Sequence, residues 1–341
     1  MSLIAGTDLP ESAPPEETRE VTQGMSQGRL IWKRFISNGV AMTALGFFLF
    51  IVVLSLTATG AFGIPGWWKY TYTDLPKLLN GGAPTLSLIP EWLGGDGIHL
   101  GEHPFGQTLI GIDYFAMTMR GVQNSLIVMF IIGILVAVIG TVIGAVAGYY
   151  RGWVESVLMR FTDLIIVIPV IVLGAVVGKI ASEHFKGLGV LGLSIVLGLF
   201  LWTGLARLVR GEFLTLRERE YVDAARVSGA RDARIIFRHI LPNAIGVVIV
   251  TTTLVMAAAI LLETGLSFLG FGIRSPDVSL GLIISQNQTA FSTRPYLFIW
   301  PGVFIVAIAL SVNFIGDGLR DAFDPRQRKF VARKMKERVE S

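Results

Sequence analysis

Four stretches of the 341-residue chain hold residue types and spacings that could support chemistry. His99, Glu102 and His103 spell H-x-x-E-H, the string with which zinc proteases hold a metal and a general base. That chemistry needs both histidines on one helical face, whereas Gly101 sits inside the string and Pro104 follows it directly. Gly174, Gly178 and Lys179 outline a phosphate-binding loop. Such a loop requires four residues between its glycines and a Ser or Thr after the lysine; here there are three, and then Ile180. Both strings are rejected, and no better metal or nucleotide site is visible. The third stretch holds Glu263 and Ser267 in a strongly apolar segment. A carboxylate there is costly and is a default functional candidate, for a gate or a substrate contact, with a hydrogen-bonded structural role as the alternative. The fourth is Tyr221 to Asn243, a charged interlude between two of the most hydrophobic segments.

The elements that must position these residues follow from composition. Hydrophobic residues make up 52% of the chain and charged ones only 16%, with a mean hydropathy of +0.63; this is the balance of a membrane protein. About 20 apolar residues cross a bilayer, and six stretches qualify: 36–59, 125–150, 157–178, 188–208, 244–271 and 297–316. The absence of cysteine excludes disulfides and thiolate metal sites. With no His or Cys in the expected spans, an intramembrane hydrolase lacks its nucleophile and base. A positive charge of +4 in a soluble protein would point to nucleic acid; here the distribution matters more. Twenty-two of the 29 Lys and Arg fall on one side of the six spans and seven on the other, which puts both termini in the cytoplasm.

Residues 1–35 read as a disordered cytoplasmic tail rich in Pro, Glu, Ser and Thr, and the first span, 36–59, as an uncleaved anchor. Residues 60–124 form an extracytoplasmic segment, irregular because Gly and Pro recur, with Trp67, Trp68, Tyr70 and Tyr72 at headgroup level. The membrane body follows over 125–319, its cytoplasmic loop at 212–242, and residues 320–341 make a basic tail. In the second span Gly140, Gly144 and Gly148 recur every four residues, a stripe for close helix approach inside this chain or against a sister subunit. Asp163 lies near the cytoplasmic end of the third span. Pro169 should kink that span, and a kinked helix can line a pathway.

Tyr221 to Asn243 is itself built like a docking knob. Good helix formers run from Glu212 to Arg226, Ser228-Gly229 interrupts them, and Gly229 can take the positive φ that ends one helix and redirects the chain. Ala230 to Ile240 reads as a second, amphipathic helix, with Arg231, Arg234 and Arg238 on one face and Ile235, Ile236 and Ile240 on another. Pro242 should end it after Leu241 and turn the chain into the next span. Ala224, Ala225 and Gly229 present almost no side chain to a partner, and Asp223 places one carboxylate beside them. The bland alternative is a cytosolic loop whose arginines merely obey the positive-inside rule.

Asp223-Ala224-Ala225, three residues, Gly229, then Leu241-Pro242 resembles the EAA loop of ABC importer permeases, with Asp in the Glu position and His239 where Ile is usual. The run ETGLSFLGFGIRSPDVSLG from Glu263 is similar to the E-x-x-LSFLGLG-x-x-PP-x-PSWG run of the dipeptide/oligopeptide (OppC/DppC-type) branch, with Ser275 for a Pro and Leu280 for the Trp. His103-Pro104-Phe105-Gly106 with Gly111-Ile112-Asp113 resembles its HPLGTD-x-x-GRD stretch, and LRDAFDPR its carboxy-terminal ending. The resemblance covers most of residues 29–328.

It implies an all-α polytopic fold: six transmembrane helices of the type I ABC importer permease kind with a cytoplasmic coupling helix. It further implies a bacterial inner-membrane, non-catalytic subunit with no cofactor of its own, ATP and Mg being held by two cytosolic ABC ATPase subunits. Other implied partners are a sister permease (OppB/DppB-like), an extracytoplasmic substrate-binding protein, a di- or oligopeptide substrate and the lipid bilayer, with no nucleic acid. The coupling residues would be Tyr221, Asp223, Ala224, Ala225, Gly229, Ala230, Leu241 and Pro242, and the candidates for a gate or substrate path Glu263, Ser267 and Pro169. The competing class is a gradient-driven secondary transporter working without an ATPase, for which the internal repeat expected of such carriers is not evident.

Overall fold

The structure, a computed structural model, describes residues 27–61, 63–87, 91–93, 97–184 and 189–324. The expected tail thus lies outside it up to residue 26, and the basic ending from 325 onward. The helices are α1 (Gln27–Ser37), α2 (Gly39–Ala58), α3 (Tyr114–Tyr150), α4 (Gly152–Ile166), α5 (Val170–His184), α6 (Gly189–Leu201), α7 (Thr203–Leu216), α8 (Glu220–Val227), α9 (Asp232–Arg234), α10 (Leu241–Phe268), α11 (Leu280–Asn287) and α12 (Tyr296–Phe323). Among the described residues, five helical stretches are long and apolar enough to cross a bilayer: α2, α3, α6 with α7, α9 through α10, and α12. The sixth span is the pair α4 and α5, bent by 76°. The break falls at Val167–Pro169, where the proline ring cannot coexist with a straight hydrogen-bond ladder, so the expected kink is present.

Two boundaries differ from the sequence reading. Residues 27–35, assigned above to the disordered tail, belong to α1. Its apolar stripe has somewhere to go, because Phe35 is buried against Ala41 and Ala322 with Ile31 and Leu319 alongside, and burial offsets the ordering entropy that leaves isolated short helices unfolded. Asn38 then caps α2, its side-chain oxygen accepting from Ala41 N at 3.2 Å. The second span begins at Tyr114, eleven residues early, because its polar first turns are satisfied by neighbours. Asp113 caps it: Oδ1 accepts from Ala116 N at 2.7 Å and from Trp68 Nε1 at 3.1 Å, while Oδ2 lies 2.6 Å from His103 Nδ1.

The rest of the outer segment is irregular. Among the described residues it holds a two-residue antiparallel pair (β1, Gly60–Ala61; β2, Ile64–Pro65; Gly60 opposite Pro65) and single 3-10 turns at Asn80–Gly82 and Glu91–Leu93. The H-x-x-E-H string lies here in extended backbone and turns, with Gly101 at φ +67°. Its acidic and basic groups point to different partners: buried His103 stacks on Tyr70 and meets Asp113. Exposed Glu102 pairs with Lys69 at 2.8 Å, and that hydrogen bond holds its carboxyl below the ordinary value.

The bundle core runs along α3, which at 37 residues is about 55 Å long. Its glycine stripe is the seam for α7 of the same chain. A Cβ at Gly140 would lie 2.9 Å from Leu205 Cβ, one at Gly144 2.8 Å from Val209 Cβ, and one at Gly148 2.6 Å from Phe213 Cβ. Of the two uses of the stripe left open by the sequence, packing within the subunit is the one observed. Gly144→Ala is accordingly expected to force α3 and α7 apart and to destabilise by about 1–3 kcal/mol, read as a lower unfolding midpoint in detergent; an unchanged midpoint would show that the seam has slack.

Candidate functional site

The site is built where α3, α7, α8 and α10 end together. α7 stops at Leu216, three residues of turn follow, and α8 runs from Glu220 to Val227. The single long helix expected from Glu212 is therefore two helices. Arg217 sits at the break, its side chain donating to the carbonyl of Tyr149. α8 ends as its sequence predicts: Gly229 takes φ +76°, and Ser228 N, Gly229 N and Ala230 N return to Ala224 O, Arg226 O and Ala225 O at 3.0, 2.9 and 3.0 Å.

Past the glycine the chain turns helical again, but the expected stop at Pro242 does not occur. Asp232 through Phe268 is one helical stretch. It is wound as a π-helix over Ile235–Ile240, and Pro242 sits in the first turn of α10. The wider turn lets the proline ring pass the preceding carbonyls, and Asn243 Nδ2 adds a side-chain hydrogen bond to His239 O at 2.7 Å. Within this continuous stretch Pro242 forfeits one ladder hydrogen bond, and the helix persists because the wider π turn relieves the clash of its ring with the preceding carbonyls.

The two faces of this knob separate cleanly. Val222, Ile235, Ile236 and Ile240 are buried in the main core, whereas Asp223, Ala224, Arg226, Ser228, Gly229 and Arg238 are exposed. Val227 is 91% exposed and Phe237 58%, two large apolar side chains of the knob that the chain itself leaves uncovered. Of the residues singled out from sequence, Tyr221, Asp223, Ala224, Ala225, Gly229 and Ala230 cluster on the knob. Leu241 and Pro242 lie at its exit, linked by a 3.4 Å contact from Asn243 Nδ2 to the Tyr221 hydroxyl, whose pKa is pushed up by partial burial.

Sequence reasoning missed the residue that braces the knob. Tyr149, in the last turn of α3, donates its hydroxyl to Asp232 Oδ1 at 2.8 Å, and its ring lies 6.0 Å from the Arg217 guanidinium and 5.9 Å from that of Arg226. Arg226 in turn pairs with Asp223 at 3.0 Å. An aromatic at a span end reads as a headgroup anchor, so no sequence signal marks it. Tyr149→Phe, which keeps the ring and loses one hydrogen bond worth about 1 kcal/mol, is expected to leave assembly intact and loosen α9. Faster amide exchange over residues 230–236 checks this, and protection equal to wild type would remove Tyr149 from the brace.

At the other end of the bundle Glu263 is fully buried. Ser125 Oγ of α3 donates to its Oε2 at 3.0 Å, Ser267 Oγ to its Oε1 at 2.7 Å, and Ser279 at the cap of α11 also hydrogen-bonds the carboxylate. Ser267 Oγ also accepts Ile273 N at 3.0 Å, closing the loop after α10. The adjacent α3 residues extend the clamp: Asn124 Nδ2 donates to Val278 O at 2.6 Å and Gln123 Nε2 to Ser55 O at 2.5 Å. The run Gln123-Asn124-Ser125 was the available signal, three polar residues entering an apolar span. Pro169 stands at the bend between α4 and α5, is exposed, and takes no part in this hydrogen-bonded cluster.

The rejected phosphate-loop string is helical, in α5; Gly174 packs on Leu266 and Gly178 against the Phe271 carbonyl. Its amides are spent in a helix, so these residues do not fit a nucleotide. Among the described residues no group of three or more His, Cys, Asp and Glu is placed to hold a metal.

The family described as "Binding-protein-dependent transport system inner membrane component" matches residues 140–329, and "N-terminal TM domain of oligopeptide transport permease C" matches residues 26–80. The oligopeptide transport system permease protein OppC of Mycobacterium tuberculosis is 35% identical over 90% of this chain and 98% of its own length. A putative peptide permease of Brucella ovis is 36% identical over 86% and 89%. OppC of Haemophilus influenzae is 34% identical over 89% and 91%. In fold, a chain of the MetNI methionine ABC transporter in an inward-facing conformation superposes with a TM-score of 0.51 at 20% identity, covering 61% of this chain and 96% of that one. On this evidence the chain belongs to the inner-membrane components of binding-protein-dependent transport systems, the permease family of ABC importers, in its oligopeptide-permease C branch.

Proposed function

We propose that this protein is one of two membrane subunits of a peptide importer, and that it neither binds nor hydrolyses ATP itself. Its knob seats in a groove on a cytosolic ATPase. When two ATPases close on ATP and Mg, the knobs of this chain and of an OppB/DppB-like sister permease move together, and the spans tilt from inward- to outward-facing. An extracytoplasmic binding protein delivers the di- or oligopeptide. The knob end faces the cytoplasm of a bacterial inner membrane with both termini on that side, as the lysine and arginine count requires. Such a step needs contacts that differ between the two states.

The observation that supports this reading best is the knob itself: an exposed helix, a positive-φ glycine and a second helix, with Val227 and Phe237 left uncovered by the chain and the whole braced on Tyr149 at the end of a span. An ordinary loop obeying a charge rule needs none of that order. In the same picture Glu263 and Ser267 act as a positioning clamp on the outer end, a role their closed hydrogen-bond set favours over contact with substrate. Reconstitution with the partner subunits and a peptide-loaded binding protein tests the proposal. Peptide-dependent stimulation of ATP hydrolysis is the expected result, whereas gradient-driven uptake by this chain alone would replace it with a secondary transporter.

A further inference from the structure

α4 carries two unlike stripes. Val157 and Leu164, exposed and apolar, lie on one side. Glu155, Ser156, Met159, Arg160 and Asp163 recur at three- and four-residue spacing on the other, where with Arg207 and Arg210 of α7 they line a cleft of about 470 Å³. Asp163 Oδ1 meets Arg207 at 2.5 Å, and Glu155 meets Arg210. The first of these pairs is open, its side chains 48% and 45% exposed.

Depth makes this arrangement informative. The knob-end interface is marked by exposed Tyr150 and 78%-exposed Trp153. Asp163 is ten residues beyond Trp153 along α4, about 15 Å. α7 agrees independently: Arg207 falls between Leu205, which packs on Gly140, and Val209, which packs on Gly144, so it lies six to ten residues, about 9–15 Å, before Tyr150. An open ion pair therefore sits in the knob-side half of a hydrocarbon layer about 30 Å thick, toward the end of the span where the sequence reading placed Asp163. Charged groups at that depth face a bundle interior or water, not lipid. The α3 glycine seam is filled by α7, so the open side of the pair faces away from this chain's own core.

We propose that the α4–α7 cleft is a polar wall of the translocation path on the knob side of the bilayer, wetted when the path is open there. Its two ion pairs exchange with the terminal ammonium and carboxylate, or the charged side chains, of a passing peptide. A cleft holding both signs screens a zwitterion without trapping it, because each charged group of the peptide finds a partner already satisfied by another. The last part rests on the peptide reading above; the wetting does not.

The chain has no cysteine, so labelling read on this subunit alone, separated from its partners, reports the single introduced thiol. In the assembled transporter, Met159→Cys on the polar stripe and Leu164→Cys on the apolar one are treated from the knob side with a charged, membrane-impermeant thiol reagent. Only a hydrated thiol forms the reactive thiolate, so Met159→Cys is expected to react at least about tenfold faster. Equal, slow labelling of both would place the cleft against lipid or a sealed subunit contact and overturn the proposal. The peptide part is read from the exchange Asp163→Arg with Arg207→Asp, which keeps an ion pair but reverses its polarity. ATPase stimulation should persist while the uptake ratio of acidic to basic peptides shifts about fivefold or more, as expected when a paired contact becomes a like-charge one. An unchanged ratio would make the pair a mere helix tie. If the wild-type complex imports no peptide, the function proposed above fails, while the labelling result still decides the wetting.

Discussion

Gly229→Glu is expected to leave the protein inserted in the membrane and to abolish both ATPase attachment and peptide uptake. The glycine stands at φ +76° with three amides returning to α8, and a side chain there meets no atom within 4 Å. The substitution therefore does not collide with the protein's own packing. It adds about 1 kcal/mol of left-handed strain at the bend, and a charged, flexible side chain at the point where the knob must approach a partner. Loss of one central interface contact costs about 2 kcal/mol or more, roughly thirtyfold in affinity. Gly229→Ala separates the two effects, because it carries the strain without the bulk and charge and should retain most of the binding. Co-purification with the ATPase subunits and uptake in proteoliposomes are the measurements. A Gly229→Glu variant that assembles and transports like wild type would remove the knob from the coupling path.

The second large effect is expected at Glu263, and it is one of stability. Glu263→Ala leaves Ser125 and Ser267 without an acceptor in a fully buried site, each unpaired hydroxyl costing about 1–3 kcal/mol, and it opens a cavity besides. Because the carboxylate joins α3, α10 and the cap of α11, the loss should spread through the outer end of the bundle and appear as a lower unfolding midpoint and poor yield. Glu263→Gln should be far milder. Ser267 Oγ accepts the Ile273 amide and so must donate onward, which the amide oxygen can receive; the Ser125 hydroxyl can rotate to accept from the amide nitrogen. If Glu263→Ala were as stable as wild type but transported poorly, the carboxylate would belong to the substrate path after all.

Much of the architecture was legible because its determinants are local. Hydropathy runs set the spans, Pro169 bends the third of them, and Gly229 ends α8, each through the conformational limits of one residue and its neighbours. Local rules also misled where a distant partner changed the outcome. Residues 27–35 looked disordered until α12 offered Leu319 and Ala322 to bury against. Pro242 looked like a stop until a π turn accommodated it. Gln123 and Asn124 fell in the outer segment by sequence, and it is Ser55 and Val278 that supply the hydrogen bonds by which they join the span.

What the sequence determined by itself is a six-span membrane protein with an amphipathic helix–glycine–helix knob between its fourth and fifth spans and no nucleotide loop. These properties depend on apolar run length, periodicity and glycine or proline placement, all readable within about 20 residues. The tertiary structure decided which surfaces those helices use. It showed that the glycine stripe receives α7, that Glu263 is enclosed by serines as far as 138 residues away, that Tyr149 braces the knob, and that Asp163 opens onto a cleft with Arg207. The reason is that hydrogen bonds and close packing join partners by position in space, and in a bundle of long helices the partners are one or more whole spans apart in the chain.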